Sequence, residues 1–292
     1  MAIVTDIANF YPLRADVDDD ASSNNGTNTG VSFIAGGAGF DVADFNGTSD
    51  RFTAPHQTND PFSVENTTVS LWLKSTASGA NAVAVGSHYT SGGATNPLYA
   101  LYITAAGLPW LLIRSNGGTL VQATATTAIN DGNWHSVVFT RSTTAIEVFV
   151  DGNSEATGAF AGGGTLNNTN VMGAGCWVSV PNSNVATFYA GQMSDLATWR
   201  RVLTAPEITQ IHATGVGQLA ALMQLEAQAL FASVVHDLPT GPPVYARTLF
   251  ASVVHEGTAA PSGGGSTTQG DAIQGTRLQG RGLQGNSLQG GN

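Results

Sequence analysis

The stretch FYAGQMSDLATWRRVLTAPEITQI, residues 188–211, constrains the fold more than any other because it changes periodicity within one short run. In MSDLATW, Met193, Asp195, Ala197 and Trp199 alternate with Ser194, Leu196 and Thr198, the two-residue period of a strand with one buried face. Thr204-Ala205-Pro206-Glu207 then has the spacing of a capping box, with Pro inside the first turn. A short helix is therefore expected from about Ala205, closed by Gly215. Asp195 stands out. A carboxylate between Met193 and Trp199 needs a hydrogen-bonding or cationic partner if that face is buried.

Everything upstream of this stretch reads as β structure. NFYPL (9–13) predicts a first strand, and DVDDDASSNNGTNTG (16–30) is turn chemistry around Asn25-Gly26. FDVADFNGTSDRFTAP (40–55) predicts two short apolar pieces about a second Asn-Gly turn. In TVSLWLKS (68–75), Val69, Leu71 and Leu73 oppose Ser70, Trp72 and Lys74. Residues 99–118 predict a hairpin, and TLVQATATTA (119–128) its neighbour. DGNWHSVVFTR (131–141) sets Val137 and Phe139 against Trp134, Ser136 and Val138; AIEVFVDGN (145–153) ends on Asp151-Gly152, a pair suited to a primed hairpin turn. Residues 162–170 form a Gly and Asn connection, and MGAGCWVSV (172–180) predicts one further strand. Ten or more short strands with frequent turns and one terminal helix define an all-β fold, an antiparallel two-sheet sandwich.

Composition narrows the function. Ten Lys and Arg in 292 residues, against twenty Asp and Glu, leave a net charge of −10 and no basic stripe, so nucleic acid is not an expected partner. No run is long enough to span a bilayer, and none of the first residues reads as a secretory leader, so synthesis in the cytoplasm without membrane insertion is expected. The single cysteine, Cys176, rules out an intrachain disulfide and reads as a small core residue. His135 reads as a packed or hydrogen-bonded strand histidine.

Taken in order, FYPL, DDDASSNNG, FNGTSDRF, VSLWLK, DGNWHSVVFTR, VFVDG and the SDLATWRRVLTAPEI ending resemble the laminin-G-like or concanavalin A-like lectin and glucanase family, over about residues 6–214. The resemblance implies a jelly-roll of two curved antiparallel sheets packed face to face. It also implies a structural Ca²⁺, which in this sequence would take the backbone of Pro12 and Leu13, the backbone of Gly47, and the carboxylate of Asp195. Alternatively Asp195 bonds nearby backbone N–H groups or Arg51. Some relatives cleave glucans with paired carboxylates. Among the six Glu, the nearest such pairing is Glu147 with Asp151, and the latter belongs to a turn, so no enzyme is expected.

A sugar site needs aromatic platforms with converging polar groups. Trp110, after the Gly107-Leu108-Pro109 turn, is the most open candidate, joined by His88, Tyr89, Asn182 and Asn184; Trp72 and Trp177 are candidates too, with a core position the favoured reading for both.

After Gly215 the chain changes character. Residues 216–230 carry Leu219, Leu222, Met223 and Leu230 at helical spacing. LFASVVH then occurs twice, at 230–236 and 249–255, an identical repeat whose β-branched content predicts two strands. From Gly263 the tail repeats every five residues, with Ile273, Leu278, Leu283 and Leu288 in phase, which leaves two readings: a disordered low-complexity tail, or an arm that orders only against copies of itself or another subunit. Three segments are thus expected: a domain over 1–214, a helix and duplicated strands over 215–262, and a repeat tail over 263–292. Leu230, Phe231, Val235, Leu249, Phe250 and Val254, with the tail's apolar ladder, are the assembly candidates. The expected partners are copies of the chain, other subunits of a particle, and surface glycans. The expected place is a virion surface or an extracellular assembly.

Overall fold

The computed structural model describes residues 6–36, 41–56, 64–88, 98–115, 118, 120–159, 171–179 and 184–214. In chain order the strands are β1 (Ile7–Tyr11), β2 (Thr27–Thr29), β3 (Ser32–Ala35), β4 (Asp41–Asn46), β5 (Arg51–Ala54), β6 (Thr67–Lys74), β7 (Ala82–His88), β8 (Leu98–Ile103) and β9 (Pro109–Arg114). They continue as β10 (Val121–Thr124), β11 (His135–Arg141), β12 (Ala145–Val150), β13 (Asn153–Ala159), β14 (Met172–Ala174), β15 (Trp177–Ser179), β16 (Asn184–Ala186) and β17 (Ala190–Trp199), and helix α1 (Ala205–Thr214) follows.

One sheet runs β13-β12-β11-β6-β17-β4-β3, with β1 also on β17. The other runs β10-β9-β8-β7-β14-β5-β2, with β15 on β7 and β16 on β15. Pairing is antiparallel throughout these ladders except for the single parallel contact between Ser179 and His88. The two-residue period does what the alternation predicts. Val69, Leu71 and Leu73 of the first sheet, with Val137 and Phe139, share a buried core with Leu101, Ile103, Leu111 and Ile113 of the second. Asp151 and Gly152 both take positive φ (50° and 80°), the primed turn that joins β12 to β13.

β17 is the strand around which the first sheet is organised. Its first residues lie between β4 and β6, and its last lie between β1 and β6. Here the structure departs from simple alternation. The register with β6 shifts between Ser194 and Ala197, and Asp195 adopts φ 50°, a β-bulge in left-handed conformation. The extra residue flips the faces. Met193 and Leu196 both enter the core cluster, while Ala197 and Trp199 are buried outside it.

The two pieces about Asn46-Gly47 are both strands, β4 in one sheet and β5 in the other. Other expectations are corrected. Part of the predicted turn run forms the exposed edge strand β2. MGAGCWVSV is two strands, because Gly175 turns the chain at φ 78° where a Cβ would meet Phe45 ring carbons at 2.3 Å. Cys176 beside it is fully buried, and burial pushes its thiol up to about 12, which suits a packed residue and not a nucleophile.

Helix α1 starts where the capping box places it. Glu207 accepts from the Thr204 backbone N–H at 2.8 Å. The Thr204 hydroxyl donates to the same carboxylate at 3.0 Å instead of taking a first-turn N–H. Arg201 grips Glu207 through two hydrogen bonds of 2.7 and 2.8 Å and is the main reason its carboxyl is held down at about 2. Ile208 and Ile211 are buried, and the ring of His212 stacks on Trp72 at 5.9 Å, so Trp72 is a covered packing residue. Residues 215–292, including every assembly candidate, lie outside the described residues.

Candidate functional site

Three groups of polar or aromatic side chains bear on function, and they fall in different places. The first is Asp195. Its side chain is fully buried, and the guanidinium of Arg14, a side chain 29% exposed as a whole, lies 3.4 Å from Oδ1. The Ser194 hydroxyl and the Asp195 N–H both donate to the Pro12 carbonyl at 3.3 Å. Leu13, at φ 57°, faces this corner with a second left-handed backbone turn. The cation beside Asp195 is therefore Arg14, not Arg51, whose guanidinium donates to the Ser49 carbonyl.

Gly47 is elsewhere. It packs on Ala190, where a Cβ would approach that of Ala190 to 2.6 Å. At about 3.3 Å of rise per residue, that end of β17 is roughly 15 Å from Asp195. Among the described residues no group of three or more His, Cys, Asp or Glu side chains is placed to hold a metal. These residues do not fit the calcium site that the resemblance implies: Gly47 is too distant, one carboxylate is available, and a guanidinium already neutralises it.

The second group surrounds Asp151. His135 bonds Asp151 through Nδ1 at 2.7 Å and Asp131 through Nε2 at 3.1 Å. The Ser136 N–H donates to the other oxygen of Asp151, and the Ser136 hydroxyl meets His212 Nδ1 at 3.0 Å. Burial works against charging His135, but the two carboxylates outweigh it and hold its pKa above the ordinary value. Ser136 is fully buried, so this cluster anchors α1 and the β12–β13 turn and has no accessible nucleophile. Glu147 accepts from the Ser154 hydroxyl, whereas Asp151 is taken up by His135 and the Ser136 N–H, so the two carboxylates have separate partners.

The third group is a row of aromatic rings on the second sheet. Along β8, Tyr99, Leu101 and Ile103 enter the core, so the pleat turns Tyr102 to the opposite, outer face. Leu111 and Ile113 do the same for Trp110 on β9. The β8–β9 register sets Tyr102 directly opposite Trp110, with ring centroids 5.3 Å apart. From the other side, Trp177 of β15 brings its ring to 5.8 Å from Tyr102. All three are partly exposed. Exposed Thr124, in register with Trp110 on β10, adds a hydroxyl at one end. Burial pushes the Tyr102 phenol up to about 12, so it stays a hydrogen-bond donor through neutral pH.

Of the sugar-site candidates, Trp110 is thus on an outer face with partners. Trp177, expected in the core, joins it instead. Tyr102 is not among the residues that the sequence pattern singles out. Its signal is present all the same, since it lies three residues after Tyr99 in YALYI and so on the face opposite to it. Tyr89 and Asn182 lie outside the described residues. His88 and Asn184 are located by backbone only; both pair with Ser179, one on either side of β15.

Two packed antiparallel sheets in this strand order define a concanavalin A-like, lectin-like fold. The chain belongs to the concanavalin A-like lectin/glucanase superfamily, whose sequence profile matches residues 46–209. No curated protein matches at the sequence level. Among solved structures, domain 4 of AbnA, a GH43 extracellular arabinanase from Geobacillus stearothermophilus in complex with arabinotriose, is similar with TM-score 0.54 at 18% identity, covering 70% of this chain and 98% of that one. The binding domain of Paraclostridial Mosquitocidal Protein 1 is similar with TM-score 0.55 at 11% identity, covering 72% and 52%. The botulinum neurotoxin serotype D binding domain gives 0.54 at 11%, covering 73% and 53%. The chain spans about half the length of those toxin domains. At these identities the likeness is one of fold. No helix among the described residues is long and apolar enough to cross a membrane.

Proposed function

We propose that this protein is a non-enzymatic adhesive module that takes carbohydrate on the strip formed by Trp110, Tyr102 and Trp177. The observation that carries the reading is the strip itself: three partly exposed rings in sequence on one outer face. Aromatic faces are the usual apolar surface for the C–H side of a sugar ring, and Thr124 and the Tyr102 hydroxyl supply polar partners. That one similar domain was solved with arabinotriose supports a glycan over a peptide. The buried Ser136 and the separately engaged Glu147 support binding without cleavage.

The sequence beyond Thr214 supports a place in a larger assembly. A duplicated apolar heptapeptide, followed by a five-residue repeat too short to make a core of its own Leu ladder, calls for copies or other subunits. A phage virion surface, as capsid decoration or fibre with the jelly roll outward, fits that organisation; a secreted carbohydrate-binding protein is the second reading, favoured by the arabinanase domain. A glycan array probed with the full chain and with Trp110→Ala tests the binding site. Binding lost in the variant is the expected result, and a blank array removes the proposal. Sedimentation of the full chain against a chain ending at Thr214 tests the assembly role, which fails if both are monomeric.

A further inference from the structure

The two sheets differ in charge. None of the nine strands of the second sheet contains an Asp or Glu, while β5 carries Arg51 and β9 carries Arg114. The first sheet has Asp41 and Asp44 on β4, Glu147 on β12, Glu155 on β13 and Asp195 on β17, against Lys74 and Arg141. In a chain of net charge −10, one sheet is thus positive. Both of its arginines face outward. Phe52 and Ala54 of β5, like Leu111 and Ile113 of β9, enter the core, so the pleat turns Arg51 and Arg114 to the face that holds Trp110 and Tyr102. Each is partly exposed.

Sheets pack about 10 Å apart and the Debye length in physiological salt is about 8 Å, so the carboxylates of the first sheet are largely screened from this face. Two carboxylates border it, and both are engaged. Asp50, next to Arg51, is buried and accepts from the Asn46 N–H at 3.0 Å and the Asn46 side chain at 2.7 Å. Glu155 takes the N–H groups of Thr126 and Thr127 just after β10, both at 2.8 Å. Arg51 lies toward the Trp177 end of the strip. A Cβ on Gly175, two residues before Trp177, would stand 3.3 Å from the Asp50 carbonyl. Burial raises the Cys176 thiol and the Arg51 charge works against it, so the guanidinium acts on the residue that precedes Trp177. Arg51 donates from Nη1 to the Ser49 carbonyl at 3.1 Å and forms no ion pair among the described residues, which leaves donors of its fork for a ligand. Arg114 stands four residues beyond Trp110, about 13 Å along the same face of β9.

Resting on the reading of the strip as a glycan site, we infer that its ligand is an acidic glycan, one whose sugars carry carboxylate or sulfate groups. Arg51 takes an anion beyond Trp177, and Arg114 adds positive charge on the Trp110 side. A guanidinium fork suits both groups, because each presents at least two oxygens to it. The rings supply contact that any sugar can use; the arginines, on a face without free carboxylates among the described strands, supply the choice of charge.

The test titrates the full chain by calorimetry with hexagalacturonate, which bears only carboxylates, with a κ-carrageenan hexasaccharide, which bears only sulfates, and with neutral xylohexaose and cellohexaose. At least one acidic chain binds about tenfold more tightly than either neutral one, and the acidic chain that does so identifies the anion. Raising NaCl from about 50 to about 500 mM weakens that binding severalfold. Arg51→Gln weakens it about tenfold and Arg51→Lys less, since lysine keeps the charge and loses the fork, while Trp110→Ala weakens it through the strip. Neutral chains that bind as tightly as acidic ones, with Trp110→Ala weakening them and Arg51→Gln not, overturn the acidic inference and leave the strip as a glycan site. Acidic binding that neither Trp110→Ala nor Trp177→Ala changes, or no binding to any of the four chains, overturns the underlying reading as well. Melting curves of each variant establish that the comparison is between folded proteins.

Discussion

Replacing Asp195 by alanine is expected to cost roughly 4 kcal/mol of stability, and the structure divides that loss into two parts. Removing one member of a buried ion pair typically costs about 3–5 kcal/mol. The lower end applies here, because Arg14 keeps 29% of its side chain exposed and can turn toward water. The second part is conformational: at φ 50° an alanine Cβ costs on the order of 1 kcal/mol that aspartate, with its local hydrogen bonding, largely avoids. Asp195→Asn preserves the left-handed preference and the shape but loses the charge, so a smaller loss of about 2 kcal/mol is expected. Arg14→Gln should lose a similar amount, and the double variant should lose less than the sum, with a coupling of about 1–2 kcal/mol. Urea unfolding of the parent, Asp195→Asn, Arg14→Gln and the double variant measures this cycle, and repeating it with chelator and with added Ca²⁺ tests the cation. Midpoints that depend on Ca²⁺ in the parent protein, or a coupling near zero, would refute the assignment of Arg14 as the counter-ion.

Three further outcomes are expected at other corners of the fold. The His135 pKa is raised in the folded state, so its contribution is complete below the unfolded value near 6.5 and is lost as pH rises through the higher folded value. Melting temperatures measured from pH 5 to pH 9 should therefore show a decline across neutrality that His135→Gln removes. Glu207 is the opposite case: its contribution is complete above its ordinary value of 4.5 and falls away as pH drops toward about 2. Being at the surface, it should add less than about 1 kcal/mol, read as a small acid-side difference between the parent and Glu207→Gln. Gly175→Ala should destabilise by more than about 2 kcal/mol, since it combines φ 78° with a 2.3 Å approach to Phe45; a change within error in urea unfolding would mean that β14 and β15 can shift apart.

Local patterns in the chain were enough to place most of the fold. Val69, Leu71 and Leu73, then Val137 and Phe139, reveal their strands and their buried face because side chains alternate with a period of two, whatever the partner strand. Asp151-Gly152 and Thr204 to Glu207 mark a turn and a helix start for an equally local reason: backbone torsion and capping depend on residues within one turn. The packing of α1 was legible to that extent and no further. That Trp72 would lie beneath His212 depends on where the helix returns.

What escaped a linear reading is non-local. The bulge at Asp195 exchanges the faces of β17 because pairing with β6 slips by a residue, and the positive φ that accompanies it is not encoded by alternation. Arg14 and Asp195, 181 positions apart, meet only because β1 lies beside β17. The aromatic strip has the same origin. Trp110, Tyr102 and Trp177 come from three strands, and it is cross-strand register that brings them into a row. Residue types and turns are properties of neighbours along the chain; a site on a sheet is a property of neighbours across it.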